Sequence, residues 1–299
     1  MFNDAAKAMM RGYVSDTLPL EEMLSVKGKV AIVTGSNSGL GFCIAQRLCQ
    51  GGAKVVITGS DSDKGEFSLE LLKEKGYDAA FCKADVRSEQ EVEELVNFTA
   101  ETYGTVDILV TSAGRWSFGH VYDLPEAEFK DVIDINLTGT FRCVKHVSKY
   151  MVEHNVKGKI VLIASNSAYL TYPLFGGYPH YVASKGGVQA MGQELAKELK
   201  RYGIMVNVVA PGPMLTPPYV QPRVPAAAVT TEQMSELRKE IAATHMDGVP
   251  TADSVAIVAY GLCTRMADGM TGETVVVDSG MMRNIVSHQR AMPAYPPQE

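Results

Sequence analysis

Tyr181 and Lys185 are the residues whose types and spacing could most directly do chemistry. They lie four positions apart in a stretch predicted to be helical, so both side chains would share one face of that helix. A tyrosine with an ordinary pKa of about 10 is a poor base at neutral pH, whereas a neighbouring ammonium favours the phenolate and lowers that pKa. The pair predicts that Tyr181 transfers a proton and that Lys185 lowers the pKa of this tyrosine. With 13 tyrosines in the chain, a surface pair at this spacing is the alternative interpretation.

A glycine-rich turn is the second chemical signal. It follows the β-branched stretch 29–34 directly and leads into a helical stretch. Glycines let the backbone approach a pyrophosphate closely, and the N-terminus of the following helix presents unpaired N–H groups to it. The order of strand, turn and helix therefore predicts a dinucleotide site, whereas glycines outside that order are more typical of a loop. The turn residues expected to bind are Gly35, Asn37, Ser38, Gly39, Leu40 and Gly41.

Seven short β-branched stretches, separated by helix-length spacers, must position these residues. Continuous apolar strands alternating with amphipathic helices predict a parallel sheet that is buried on both faces. The fold class is therefore α/β, a single-domain, doubly wound (Rossmann) sheet of seven mainly parallel strands with helices on both faces. In the spacer 88–104 one helix face is apolar, and Ser88 with Glu91 could form a capping box. The predicted strands are 29–34, 54–58, 78–85, 106–114, 158–165, 204–212 and 273–280.

The chain divides into a catalytic domain with additions at both ends. Residues 1–28 form an N-terminal extension with two short predicted helices, the second opening near Pro19. Residues 29–282 form the dinucleotide-binding catalytic domain, within which the proline-rich region 213–245 is expected to cover the substrate. Residues 283–299 are expected to be a tail that is either loosely held or used at an interface.

Composition narrows the class of function and of partner. The formal charge of -6 is spread along the chain, which argues against nucleic acid or an anionic membrane as partner. Five scattered cysteines without CxxC spacing predict reduced thiols and a cytoplasmic location. The six histidines lack metal-ligand spacing, so we predict no metal and place the histidines at surfaces or interfaces. Only His180 lies next to the proposed chemistry.

The spacing TGxxxGxG, together with Tyr181 and Lys185, resembles the short-chain dehydrogenase/reductase family over about residues 29–282. The KADV segment, with Asp85 and Val86, matches the family's adenine contact, and Ala113-Gly114 match its NAG turn. Pro211, Gly212 and Thr216 match the family's segment beside the nicotinamide. Thr111-Ser112 depart from the usual pair of asparagines, which puts one local hydrogen bond in doubt.

The same resemblance implies a catalytic tetrad. Ser165 matches the serine that steadies the substrate oxygen, with Ser167 as a possible substitute because the loop before Tyr181 is long. Asn136 matches the asparagine that kinks a helix and anchors a water in a proton relay, although by itself it could be a helix cap. Tyr181 would exchange the proton with the substrate oxygen, and Lys185 would also hold the nicotinamide ribose.

The end of the second strand decides between NAD and NADP in this fold, because an acid there binds the ribose hydroxyls and a cation binds the 2′-phosphate. Gly59 and Ser60 stand at the two expected positions, so neither rule applies directly. Asp61 and a second carboxylate follow, and they would repel a phosphate dianion. We therefore expect NAD, with Ser60 and Asp61 as contacts and NADP as the alternative. Asp61 could instead be only a helix N-cap.

The substrate pocket is expected from the segments after Gly114, before Tyr181 and after Gly212, which are rich in aromatic residues and prolines. Such walls suit a bulky, largely apolar ketone, although the same aromatic side chains could pack a subunit interface. The residues expected to contact the substrate are Trp116, Ser167, Tyr178, Met214 and Tyr219.

The N-terminal segment, the glycine loop and the long loop before Tyr181 are similar to those of bacterial 20β-hydroxysteroid dehydrogenases. This similarity implies NADH-dependent reduction of a steroid ketone. Within the family, another alcohol or polyol dehydrogenase and a 3-oxoacyl reductase are the alternatives. Outside enzymes, a catalytically silent dinucleotide-sensing protein is the competing hypothesis, which predicts loss of the tyrosine or lysine. The family also implies a homotetramer.

Overall fold

A computed structural model of the chain describes residues 3–15, 17–117, 119–170, 177–214 and 250–284. The strands are β1 Val30–Thr34, β2 Lys54–Gly59, β3 Ala79–Lys83, β4 Ile108–Thr111, β5 Lys159–Ile163, β6 Met205–Pro211 and β7 Thr274–Val277. The helices are α1 Asp4–Ser15, α2 Leu20–Leu24, α3 Gly39–Gln50, α4 Ser62–Glu74, α5 Glu89–Tyr103, α6 Glu126–Ile133, α7 Gly139–Glu153, α8 Pro179–Leu199 and α9 Ala252–Cys263.

The seven strands form one sheet in the order β3-β2-β1-β4-β5-β6-β7. Every neighbouring pair is parallel, so the predicted fold class is confirmed and the sheet is parallel throughout. The strand order reverses between β1 and β4, and the crevice at the carboxyl ends of these two strands is where such sheets bind ligands.

Both faces of the sheet are buried because successive side chains of a strand point to opposite sides. Val33 and Val55 belong to the core cluster that also contains Leu48 of α3. Ile32 and Leu109 belong to the opposite cluster, with residues of α5, α7 and α8. The continuous apolar strands seen in the sequence follow directly from this two-sided burial.

The predicted cap of α5 is half formed. Ser88 Oγ accepts a hydrogen bond from the Glu91 backbone N–H at 3.2 Å. The Glu91 carboxylate does not return the bond to Ser88 but accepts from the Asp85 backbone N–H at 2.9 Å. Glu91 therefore anchors the loop that carries Asp85 to the helix after it, because that loop passes close to the first turn of α5.

The N-terminal extension contains the two expected helices, and α2 begins directly after Pro19. Tyr260 of α9 donates a hydrogen bond to the Leu24 carbonyl, which holds α2 on the domain. In α1 the side chains of Met9 and Met10 are exposed. Most of the region expected to cover the substrate, 213–245, lies outside the described residues, and Thr216 and Tyr219 lie there with it. Most of the tail, 283–299, also lies outside the described residues.

No helix within the described ranges is both long and apolar enough to cross a membrane.

Candidate active site

The glycine turn packs against the end of β4. Gly35 has a φ of +62°, and a Cβ at this position would lie 2.6 Å from the Ala113 Cα. A Cβ on Gly41 would lie 2.3 Å from the Gly35 carbonyl oxygen. Only glycine therefore allows the turn to close over the N-terminus of α3 and against the Ala113-Gly114 turn. The result is an exposed helix N-terminus at the switch point of the sheet, which fits a pyrophosphate.

A cleft of about 340 Å³ opens beside this turn. Ten of its residues lie in the strand ends and loops that follow β1, β2 and β4, as expected for a dinucleotide in this fold. The cleft is lined by Gly35, Asn37, Ser38, Gly59, Ser60, Ala84, Asp85, Val86, Arg87, Ser112, Ala113, Gly114, Arg115, Trp116, Asp131 and Ile135. The shape and the glycine cradle together fit a dinucleotide.

Several residues expected at the cofactor do not line this cleft. Gly39, Leu40 and Gly41 form the first turn of α3, with Gly41 buried. The Asp61 carboxylate accepts from the Lys64 backbone N–H at 3.1 Å, which makes it the N-cap of α4. Pro211 is the last residue of β6, and Gly212 directly follows it.

Charged side chains border the cleft in a continuous ion-pair chain that the sequence analysis missed. Arg87 pairs with Asp85 at 2.6 Å and with Asp131 at 2.9 Å. Asp131 also pairs with Arg115, whose Nη2 donates to both oxygens of Glu128 at 2.8 Å. The hydrogen bonds from Arg87 hold the pKa of Asp85 below its usual range. The closeness of Arg87 to Asp85 in sequence was the one available signal, because Asp131 and Glu128 are distant along the chain.

The second half of the site lies where β5 meets α8. Ser165 follows β5, and its hydroxyl lies within hydrogen-bond distance of the Ser167 hydroxyl, at 2.9 Å, and accepts from the Ser167 backbone N–H at 3.1 Å. Tyr181, in the first turn of α8, is hydrogen-bonded to Ser165. The structure thus brings both candidate serines to the tyrosine, with Ser165 in direct contact.

Lys185 lies one turn further along α8 and is 5% exposed. Its amine is 5.9 Å from the centre of the Tyr181 ring and donates to the Ile163 carbonyl at 2.9 Å. A Cβ placed on Gly114 would lie 3.5 Å from this amine, so the glycine leaves room beside it. The predicted one-face arrangement of Tyr181 and Lys185 is the one observed, and the surface-pair alternative does not hold.

Burial sets the protonation states of this pair. Burial raises the pKa of Tyr181 to about 12, against a smaller lowering by the hydrogen bond to Ser165. Burial also lowers the pKa of Lys185 to about 8. At neutral pH the tyrosine is therefore a phenol that can give a proton, and the lysine is mostly charged. A phenolate needs an additional positive charge nearby.

Asn136 occupies one turn of π-helix, Asp134–Thr138, between α6 and α7. Its side chain is fully buried and uses its whole hydrogen-bonding capacity apart from one lone pair. Oδ1 accepts from the Arg115 N–H at 2.8 Å, and Nδ2 donates to the Arg115 carbonyl at 2.8 Å and to Ser184 Oγ at 2.9 Å. Asn136 is therefore no helix cap, because it ties the loop after β4 to Ser184 in the second turn of α8.

The expected substrate residues are only partly together. Tyr178 is buried with its ring 6.0 Å from the Tyr181 ring, and Ser167 is beside Ser165. Trp116 lines the dinucleotide cleft, and Met214 packs against the core on the α3 side of the sheet.

One expectation about the histidines is wrong. His180 is fully buried, not at a surface, because the first turn of α8 turns this side chain towards α6. Its Nε2 lies 2.8 Å from Ser117 Oγ, and its ring centre is 6.4 Å from that of Phe129. Within the described part of the chain, no group of three or more His, Cys, Asp or Glu residues could hold a metal ion.

Known proteins share this sequence family and this fold. The short chain dehydrogenase family matches residues 29–224, and the chain belongs to this family of oxidoreductases that act on CH–OH groups. Glucose 1-dehydrogenase 2 of Bacillus subtilis is 32% identical over 85% of this chain and 95% of its own length. The 2-dehydro-3-deoxy-D-gluconate 5-dehydrogenase of Formosa agariphila is 32% identical over 88% and 96%.

A solved structure extends the likeness. A variant of actinorhodin polyketide ketoreductase crystallised with NADPH superposes with a TM-score of 0.76, at 34% identity, covering 85% of this chain and 97% of that one. The dinucleotide fold and the alcohol/ketone reaction class therefore rest on both sequence and structure.

Proposed function

We propose that this chain is an NAD(H)-dependent oxidoreductase that interconverts a secondary alcohol and a ketone on a bulky, largely apolar substrate, with a steroid ketone as first candidate. One observation carries the proposal. The Tyr181 phenol is hydrogen-bonded to Ser165, and the buried Lys185 amine lies beneath it. Gly114 of the dinucleotide cleft lies directly beside this amine.

The chain's own residues bind, orient and move a proton. Ser165 and Tyr181 hydrogen-bond the substrate oxygen, and in ketone reduction the Tyr181 phenol gives its proton to that oxygen. Charged Lys185 stabilises the tyrosinate that remains. In alcohol oxidation the tyrosinate takes the proton back. When bound, the nicotinamide supplies or accepts the hydride at its C4, and the residues proposed to hold it are those of the glycine turn, the Ala113-Gly114 turn and Lys185.

NAD is the proposed partner because the cations near the adenosine end are already engaged. Arg87 is paired with two carboxylates, Asp85 and Asp131, and Lys64 is paired with Asp61 at 3.2 Å. A 2′-phosphate would have to compete with these carboxylates for each cation. The structure of the polyketide ketoreductase with NADPH makes NADP the alternative that the assay must include.

The charge around the pocket supports an uncharged substrate. Arg115, in the loop after β4 that is expected to border the substrate, is paired with Glu128 and Asp131. Within the described part of the chain, Arg115 is therefore already engaged and not free to bind the carboxylate of a sugar acid. Tyr178 and Ser167 add an aromatic wall and one polar group next to Tyr181, which suits a ketone on an apolar skeleton.

A polyol or sugar substrate is the second candidate, because two of the matched relatives are named as glucose and deoxygluconate dehydrogenases. A homotetramer is also proposed. The exposed Phe141 of α7 supports contact through that helix, and light scattering of the purified protein measures the assembly. Five free thiols support a cytoplasmic location, which fractionation of the source cells tests.

The deciding experiment is a substrate panel with both cofactors. NADH and NADPH oxidation is followed with cortisol, simple ketones and a 3-oxoacyl thioester, and NAD reduction with glucose and gluconate. We expect turnover with the bulky ketone. We also expect kcat/KM to be at least about tenfold higher with NADH than with NADPH, because a 2′-phosphate without a free cation should cost about 1.4 kcal/mol. Turnover only with sugars transfers the proposal to the polyol class. NADH binding without turnover on any substrate supports the dinucleotide-sensing protein instead.

A further inference from the structure

The loop that joins the two halves of the site is held by a buried chain of polar side chains. This segment, 114–117, follows β4 and passes from the dinucleotide cleft towards the first turn of α8. The Arg115 backbone is fixed by the side-chain amide of Asn136, whose Oδ1 accepts from the Arg115 N–H and whose Nδ2 donates to the Arg115 carbonyl. The other end of the segment is fixed through Ser117, whose side chain is fully buried. Trp116 lies between these two anchors and lines the cleft.

Hydrogen-bond geometry assigns the tautomer of His180. The Ser117 hydroxyl has one proton, and it donates this proton to Glu128 Oε1 at 2.5 Å. Ser117 Oγ must therefore accept the bond from His180 Nε2, at 2.8 Å. In a neutral imidazole only one nitrogen carries a proton, so Nδ1 is bare. Among the described residues Nδ1 has no hydrogen-bond partner although it is buried.

We propose that neutral His180, through Ser117, is a positioning residue that clamps the first turn of α8 to the 114–117 segment and so aligns Tyr181 with the dinucleotide cleft. Protonation at Nδ1 leaves the Nε2–H bond in place but buries a charge and a second N–H that has no acceptor among the described residues, and this penalty favours opening of the clamp. The proposal rests on the proposed oxidoreductase function for its effect on turnover, but its effect on the loop does not depend on the substrate.

The surroundings of His180 oppose its charged form. Burial lowers the pKa of this histidine below its usual 6.5, and Arg115 lowers it slightly further, while Glu128 acts in the opposite direction. The remaining charged groups on this side are Asp131 of α6, which Arg115 neutralises, and Lys185 on α8 itself. An imidazolium would also place a second N–H in a buried position without an acceptor in the described structure.

The observable consequence is a change in the 114–117 segment below pH 6.5. Trp116 is the single tryptophan of the chain, so its emission reports on this segment without any ligand. Energy transfer from Trp116 to bound NADH measures the affinity of the cleft for NADH. Both signals are measured without a ketone, so a failed substrate assay and a failed clamp are distinguishable.

The experiment compares the full-length wild type with three variants between pH 8 and pH 5. His180→Gln keeps a donor at the Nε2 position but cannot titrate, whereas Ser117→Ala removes the acceptor. His154→Gln is the matched control, since this exposed histidine lies at the end of α7 and bonds the Tyr150 carbonyl. Thermal melting of each variant verifies folding.

We expect wild type and His154→Gln to show a Trp116 emission transition with a midpoint below 6.5, and NADH Kd to weaken about fivefold across it, as for one buried N–H left without an acceptor. His180→Gln should keep the high-pH emission and Kd throughout. Ser117→Ala should resemble the low-pH state at every pH. A transition that persists in His180→Gln would assign the titration to another group and overturn the proposal. Wild-type emission and Kd in Ser117→Ala would also overturn it.

Discussion

Replacing Lys185 by Met should make the protein more stable at neutral pH while abolishing turnover. The lysine is 5% exposed, and burial moves its pKa from 10.5 to about 8. At pH 7 the unfolded chain holds this proton more tightly than the folded one, and a difference of that size corresponds to about 3 kcal/mol against folding. Methionine has a similar volume and no charge. The lost hydrogen bond to the Ile163 carbonyl costs about 1 kcal/mol, which leaves a net stabilisation of about 2 kcal/mol.

The sign of the pH dependence distinguishes this reasoning from a packing effect. Between pH 8 and pH 10.5 the folded lysine is mostly neutral, whereas the unfolded lysine still binds a proton. Stability rises with pH wherever the unfolded state binds more protons, so the wild type gains stability relative to Lys185→Met. The advantage of the variant should therefore shrink by about 2 to 3 kcal/mol between pH 7 and pH 10.

Urea unfolding followed by far-ultraviolet circular dichroism at pH 7 and pH 10 measures this difference. Lys197→Met is the matched control on the same helix, because the Lys197 side chain is 81% exposed and should give a pH-independent difference near zero. A Lys185→Met variant that is less stable than wild type at pH 7, or a stability difference that does not change with pH, refutes the argument.

Three further outcomes are expected from the geometry. Gly41→Ala should weaken NADH binding at least about tenfold, since its Cβ would lie 2.3 Å from a backbone oxygen; Gly269→Ala, which meets nothing within 4 Å, should bind normally in the same fluorescence titration. Asn136→Ala removes three hydrogen bonds and should lower urea stability by about 2 to 4 kcal/mol, and an unchanged midpoint contradicts its linking role. If the Asp61 carboxylate only caps α4, Asp61→Ala should change the ratio of kcat/KM for NADH to kcat/KM for NADPH by no more than about twofold. The loss of the cap should lower the stability of the protein by about 1 kcal/mol. A large shift of the kcat/KM ratio towards NADPH would instead make Asp61 a ribose contact.

The strands and the glycine turn were predictable because their signals are local. Continuous apolar runs such as 29–34 indicate burial on both faces, and glycines between a strand and a helix indicate a phosphate cradle. Tyr181 and Lys185 were predictable because four residues on a helix place two side chains together. Each of these inferences uses neighbours along the chain.

The contacts that were missed join distant segments. Nothing near Asn136 in sequence indicates that its amide meets the Arg115 backbone, or that the helix widens to a π turn around it. His180 was expected at a surface or an interface because a single polar residue carries no information on which helix of its own chain packs against it. Arg87, Asp131 and Glu128 form their chain only after α6 comes to lie over the cleft, so pattern alone could not place them together.

The most direct test of the central claim is to measure NADH affinity and ketone turnover for Tyr181→Phe beside the wild type. The account predicts an NADH Kd within about twofold of wild type, because phenylalanine keeps the ring, and a loss of kcat of at least about 10²-fold, the usual contribution of a positioned proton donor. Ketone turnover that survives the loss of the phenolic hydroxyl, with NADH still bound, would contradict the assignment of Tyr181 as the proton-transfer residue.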